Sequence, residues 1–189
     1  CMVVKLPSVH VPDVLTRDLR SELTARSQLV KARKGFINSL RGIVRGRFVR
    51  PKSGSPDTFA ERMRAALLET PEGVPEYLEP LLEMVEVLTE RIKAATQALE
   101  ERSKSLAICK QLRTIPGVGL LTSLHFAASI DDIKRFKNAH AVSAYLGLTP
   151  GEHSSGAQKK TTGITKAGHV DTRSHLVQAA WTLWRTQPQ

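Results

Sequence analysis

From Asp13 to Arg47 apolar residues return at three- and four-residue steps: Leu15, Leu19, Leu23, Leu29 or Val30, Phe36 or Ile37, Leu40 and Val44. That spacing puts them on one face of a single long helix. Pro12 and Asp13 suit its start, and Arg17, Arg20, Arg26, Lys31, Arg33, Lys34, Arg41, Arg45 and Arg47 fall on its other faces. RPKSGSP, residues 50 to 56, breaks the pattern. A short helix is predicted over Thr58 to Leu68, with Ser55 or Asp57 as its cap, before a second break at residues 70 to 75. Glu76 to Lys104 then carries Leu78, Leu81, Val85, Leu88, Ile92, Ala95 and Leu99 on a heptad-like seam between charged flanks. Pairing with the first helix and pairing with a second copy of the chain both satisfy that seam.

Leu106, Ile108 and Leu112 form a further apolar run, then come Ile115-Pro116-Gly117-Val118-Gly119, then Leu120, Leu121, Leu124 and Phe126. The pattern predicts helix, tight glycine turn, helix, with Pro116 ending the first and both glycines supplying dihedrals closed to other residues. Asp131 or Asp132 is placed to cap a short helix, and Ala141 to Leu146 reads as another, stopped by Gly147 and Pro150. Residues 151 to 156 (GEHSSG) are a polar loop, and residues 159 to 168 (KKTTGITKAG) read as a loop or short β-hairpin. Val170 to Arg185 is the last helix, its apolar side expected at Leu176, Val177, Ala180, Trp181 and Trp184, with both tryptophans in the core. The fold class is all-α with room for one short β-hairpin: a long antiparallel helical or coiled-coil pair, then a compact domain containing a helix-hairpin-helix around the glycine turn.

Composition narrows the function. The 189 residues are 41% hydrophobic but only 5% aromatic, which favours helices over a β-sandwich. A formal charge of +10 points to a polyanionic partner. No apolar run reaches the length of a membrane span, so no membrane role is expected, and Cys1 and Cys109 are too few for a disulfide framework. The N-terminus lacks a secretory pattern, and a reducing cytoplasm is the expected compartment. No His, Cys, Asp and Glu set has metal-ligand spacing.

Candidate chemistry follows from charge and hydroxyls. Gly117 and Gly119 would let backbone approach a phosphate, with N–H groups at the head of the next helix facing it; a turn that merely packs two helices fits equally. Phosphate contacts are sequence-blind. Ser154 and Ser155, beside Lys159 and Lys160, suit a nucleophile for a phosphodiester, the lysines offsetting developing charge; a plain polar loop is the other reading. His153 is a minor candidate base, while His125 and His175 sit on helices as core or surface residues. Thr161, Thr162, Thr165 and Lys166 can add phosphate contacts, as can Arg33, Lys34, Arg41 and Arg45 on the first helix, unless those are simply a solvated face.

The ordered set TIPGVG, DDIKRF, AYLGLTP, HSSG, GITKAGH, an arginine and AAW resembles the C-terminal transposase domain of the IS110/IS1111 insertion-sequence family, over about Leu106 to Trp184. Residues 9 to 45 are similar to the stretch joining that family's N-terminal RuvC-like domain to its long helices. The resemblance implies a DNA recombinase whose nucleophile is the serine before the loop glycine, Ser155, with Ser154 the near alternative, and Arg173 as a phosphate contact. It implies a covalent phosphoserine link to DNA, magnesium held by four carboxylates of the RuvC-like domain, a structured guide RNA, and self-association as a homo-oligomer through the helical pair. Those metal-binding carboxylates are not in this sequence, so the chain itself is expected to carry no cofactor. His169 departs from the small polar residue usual at its position.

The expected layout is a basic linker helix over 1–50, a linker and short helix over 51–75, a coiled-coil-like helix over 76–105 and a C-terminal transposase domain over 106–189. On this reading the chain is a piece that binds nucleic acid but cuts poorly alone. A non-catalytic nucleic-acid-binding and self-association module derived from such an enzyme is the rival reading.

Overall fold

The computed structural model describes residues 10–152 and 161–186. Seven α-helices and one small antiparallel sheet make the described part all-α in class: α1 (Val14–Arg45), α2 (Phe59–Leu68), α3 (Glu79–Ser105), α4 (Ala107–Leu112), α5 (Leu120–Ile130), α6 (Ala139–Tyr145), strands β1 (Pro150–Glu152) and β2 (Thr161–Ile164), and α7 (Val170–Thr186). The chain divides into two compact units, Glu22–Glu101 and Cys1–Ser21 with Arg102–Gln189, so the division passes through both long helices.

In the unit Glu22–Glu101 the periodic residues close one aliphatic core. Ile37, Leu40 and Val44 of α1 meet Phe59, Met63 and Leu67 of α2 and Leu78, Leu82 and Val85 at the start of α3. The Arg26 Nε donates to the Thr96 hydroxyl at 2.7 Å and the Arg33 Nη1 to that of Thr89 at 3.2 Å. Numbers rising along α1 therefore meet numbers falling along α3, which makes the pair antiparallel and intramolecular. The Ser55 hydroxyl accepts from the Asp57 N–H at 3.2 Å, starting the 3-10 turn before α2 as the sequence suggests. Arg64 bridges α2 to α3 through Glu79 and Glu86.

The other unit has a different interior. Its buried residues are mostly small or hydroxylic: Cys109, Thr122, Ser123, Ala127, Ala128, Ser129, Thr172 and Ala179, with Leu124, Ile130 and Leu146. α5 packs on α4 and on α7. Between α5 and α7 the Ser129 and Thr172 hydroxyls lie 2.6 Å apart and Thr172 donates to the His125 carbonyl at 3.2 Å. The His125 and His175 rings stack with centroids 4.7 Å apart. The start of α1 is tied to the end of α5: Asp131 accepts from the Thr16 hydroxyl at 2.5 Å and pairs with His10 at 2.6 Å, and the Arg20 Nε reaches the Ala128 carbonyl at 2.7 Å.

One expected face is wrong. Trp181 and Trp184 are 54% and 62% exposed, and Val177 and Ala180 beside them also face outward. α7 instead buries Thr172, Arg173 and Ala179. The reason is that α5 offers it a small, hydroxylic surface, so backbone approach and hydrogen bonds choose the buried face rather than side-chain bulk. Leu15 is likewise 68% exposed rather than seated on the apolar side of α1.

Candidate functional site

The candidate site is built outward from the end of α6. Asn138 opens that helix, its Oδ1 accepting from the Ala141 N–H at 2.9 Å. Gly147 closes it at φ +68, while the Gly147 and Leu148 N–H groups turn back to the carbonyls of Ala144 and Ser143 at 3.0 and 2.9 Å. This pair of reversed bonds needs a left-handed residue at that point. A Cβ on Gly147 would also lie 2.1 Å from the Ala167 carbonyl oxygen, so the glycine answers both for the turn and for the close passage of a second segment.

That second segment is the return from β2. The Thr165 N–H donates to the Thr149 carbonyl at 2.9 Å and the Lys166 N–H to that of Gly147 at 3.1 Å. β1 and β2 pair antiparallel with Pro150 opposite Ile164 and Glu152 opposite Thr161. The short hairpin expected within residues 159 to 168 is thus a ladder between that stretch and Pro150–Glu152. The chain leaves the frame at Glu152 and re-enters it opposite, at Thr161. Ser154 and Ser155, the candidate nucleophiles, lie between these two points in sequence but outside the described residues, as do His153, Lys159 and Lys160.

Arg173 is placed differently from the expectation of a phosphate contact. It is 8% exposed, and its Nη1 donates to the carbonyls of Leu146 at 3.1 Å and Ala167 at 2.8 Å. It ties the end of α6 to the return segment and so braces the hairpin's base. Nη1 is suited to this because its two N–H bonds can serve two acceptors at once. Arg33 is also turned inward: 9% exposed, it pairs with Asp57 at 2.5 Å and donates to Thr89. Its burial between helices, with an acidic partner, removes it from the phosphate-facing set. Lys34, Arg41 and Arg45 remain exposed on α1, and Lys166 is exposed at φ +58. Arg41 also covers the Phe59 ring at 5.3 Å.

The glycine turn corrects half of its own expectation. Gly117 sits at φ +86, and a Cβ there would lie 2.6 Å from the Ala179 carbonyl oxygen on α7. Its bare Cα is used for packing the turn on α7. Gly119 has φ −90 and ψ −174, and nothing lies within 4 Å of where its Cβ would be. No forbidden dihedral requires glycine at that position. α5 begins after Gly119 with no side-chain cap, and its first intrahelical bond runs from the Ser123 N–H to the Gly119 carbonyl at 3.0 Å. The amides before Ser123 thus precede the intrahelical ladder.

In the unit that carries the hairpin, Cys109 and Asp131 have displaced pKa values. Burial pushes the Cys109 thiol up, against a hydrogen bond with Ser123 and the nearby Arg113 charge. For Asp131, burial pushes the carboxyl up, but the Thr16 and His10 hydrogen bonds and nearby positive charge outweigh it and hold it below the ordinary carboxylate value. Neither group lies on the hairpin. Among the described residues no three His, Cys, Asp or Glu side chains come together in a way that could hold a metal ion, so this part of the chain offers no fit for magnesium on its own. Among them, too, no helix is long and apolar enough to cross a membrane.

Sequence reasoning missed the Arg173 clamp and the Asp131 tether. Asp131 and Thr16 are 115 residues apart, and no local spacing relates them. The only sequence signals were the glycines at 147 and 168, whose tight backbone approaches need a partner segment.

In sequence the chain is similar to insertion-sequence transposases. Residues 109–189 match the family described as "Transposase IS116/IS110/IS902 family". The chain is 32% identical over 173 residues to the transposase for insertion sequence element IS1111A of Coxiella burnetii, covering 89% of this chain and 47% of that protein. It is 26% identical over 187 residues to the transposase for insertion sequence element IS1328 of Yersinia enterocolitica, covering 95% of this chain and 55% of that protein. Over 70 residues it is 37% identical to the pilin gene-inverting protein of Moraxella bovis, covering 36% of this chain and 22% of that protein. The chain spans about half the length of the insertion-sequence transposases it matches.

Proposed function

We propose that this chain is the nucleic-acid-handling part of an insertion-sequence transposase and supplies the serine nucleophile for DNA strand cleavage and rejoining. The observation that carries the reading is the family match over residues 109–189, which takes in the serine loop, both flanking strands and the brace at Arg173. The name of the gene-inverting relative, which denotes DNA rearrangement, supports it.

In this reading the Ser155 hydroxyl, or that of Ser154, attacks a DNA phosphorus. Its proton passes to a base, the bond from phosphorus to the sugar oxygen breaks, and that oxygen takes up a proton. One phosphoester replaces another, so the link can later be reversed to rejoin DNA. Lys159, Lys160 and Lys166 offset charge on the phosphate, and Arg173 acts through the frame. Magnesium belongs to a domain of the whole protein beyond these residues, and there it would polarise the phosphate. Duplex DNA, a structured guide RNA and a second copy of the protein are the proposed partners, and the cytoplasm the proposed compartment.

The test is adduct trapping in a full-length relative. Serine-to-alanine substitution at the position matching Ser155 should abolish a covalent protein–DNA product, and substitution at Ser154 should leave it. Loss only at Ser154 moves the role one residue; an undiminished adduct in the double variant overturns the serine reading.

A further inference from the structure

Where α1 ends, the chain is anchored on both sides of one exposed phenyl ring. Val44 and Val49 are buried, and two turn bonds, Arg47 N–H to Val44 O at 3.0 Å and Phe48 N–H to Arg45 O at 3.2 Å, hold the residues between them. Phe48 is 92% exposed and sits at φ +59. A bulky residue in that region is a backbone outlier that persists only when its surroundings impose it. Here the imposed conformation turns an aromatic side chain into water.

The ring stands at a hollow of ≈ 590 Å³ whose charged lining is Arg41, Arg45, Arg50 and Lys52, with no Asp or Glu among its lining residues. That volume lies in the range of small-ligand sites. Four other cations of the same unit do have acidic partners: Arg33 pairs with Asp57, Arg47 with Glu72, Arg64 with Glu79 and Glu86, and Lys93 with Glu90. Arg45, Arg50 and Lys52 take part in none of the ion pairs of the described residues and are exposed.

From this we infer that the hollow binds an unpaired nucleic-acid strand, one base stacking on Phe48 and the flanking phosphates lying on Arg45, Arg50 and Lys52. Cations alone would suit any polyanion. A free aromatic face selects bases that are not already stacked, and every base has such a face, so the site is indifferent to sequence and prefers single strands to duplex. The inference does not use the serine reading: failure of either test leaves the other standing.

The experiment uses the full chain and fluorescence anisotropy with an oligothymidylate, an oligouridylate and a duplex of equal length. Phe48→Ala should weaken binding of the single strands about tenfold while the duplex changes by less than about twofold. Helical content should be unaltered, because the phenyl supports no core. Phe48→Trp should retain binding and add fluorescence that single strands quench beyond the signal of the unsubstituted chain. Arg45→Gln and Lys52→Gln should each reduce the salt slope for single strands by about 0.7. A difference between oligothymidylate and oligouridylate supports the site and shows which of these two strands it prefers. Unchanged single-strand binding by Phe48→Ala, or an equal loss for duplex, overturns the proposal and assigns the ring to a protein contact.

Discussion

The two units of this chain are held together by different physics. In Glu22–Glu101 large aliphatic and aromatic side chains from three helices close on one another, and most charged groups stay outside or pair at the edge. In the unit containing α4 to α7 the buried set is small and hydroxylic, and position is set by close backbone passages and hydrogen bonds to carbonyls. A core of the first kind tolerates exchange of one apolar residue for another of similar volume. A frame of the second kind has little slack, because a single methyl group meets backbone that cannot move aside. The unit that carries the candidate chemistry is the one whose geometry is most tightly specified.

Removing bulk from the aliphatic core should have the largest effect. Leu40→Ala is expected to cost about 2–5 kcal/mol in denaturant unfolding followed by circular dichroism. Trp181 and Trp184 are the only two tryptophans of the chain, so their fluorescence reports the other unit. If that signal shifts as far as the dichroism, the units unfold as one body and the contrast fails.

Next comes the glycine pair. Gly117→Ala should lose roughly 2–3 kcal/mol by tryptophan fluorescence, from the positive φ and the approach of the α7 backbone. Gly119→Ala, with an ordinary φ and open space, should be neutral or stabilising by about 0.4–1 kcal/mol. Equal losses at the two would mean that the turn does not rest on α7 through Gly117.

Arg173→Lys should cost about 1.5–3 kcal/mol, since the shorter side chain leaves its ammonium short of the two carbonyls that Nη1 bridges. Amide exchange should rise at Lys166, whose N–H bonds the Gly147 carbonyl, while Leu40 and its neighbours stay protected. Full retention of stability would return the arginine to the phosphate-contact reading.

The smallest effect is in acid. The Asp131 carboxyl is held below its ordinary value, so the unfolded chain takes up its proton first as pH falls. Its contribution is complete above the ordinary carboxylate range and is lost as pH drops through the lowered value. Asp131→Asn should remove that component of the pH dependence, read as the difference between the two acid-unfolding curves. Curves that stay parallel would show that the tether does not stabilise the unit.

Most of the first unit was legible in the chain itself. Leu23, Ile37, Leu40 and Val44 on α1, Leu78 just before α3, and Val85, Leu88, Ile92 and Leu99 on α3 are buried as their period demands. The resemblance carried by TIPGVG through GITKAGH also holds, because spaced motifs survive in sequence even where no contact can be read from them. The orientation of individual cations was not legible. Arg33 and Lys34 are neighbours in sequence, yet one is buried on Asp57 and the other exposed, a difference that depends on where the residues before α2 fall. α7 misled for a related reason: its tryptophans are the most apolar choice on paper, but α5 takes up Thr172 through a hydroxyl contact and a stacked His175 instead.

Period, breakers and charge therefore determined the helices, the buried faces of the aliphatic unit and the basic character of the chain, because each is a property of residues close together in sequence. Tertiary structure alone decided that Arg173 braces a hairpin, that Gly117 meets α7 and Gly119 meets nothing, that Asp131 holds Thr16, and that Phe48 stands in water among cations. Each depends on segments brought together by folding, and neither spacing nor composition contains that distance.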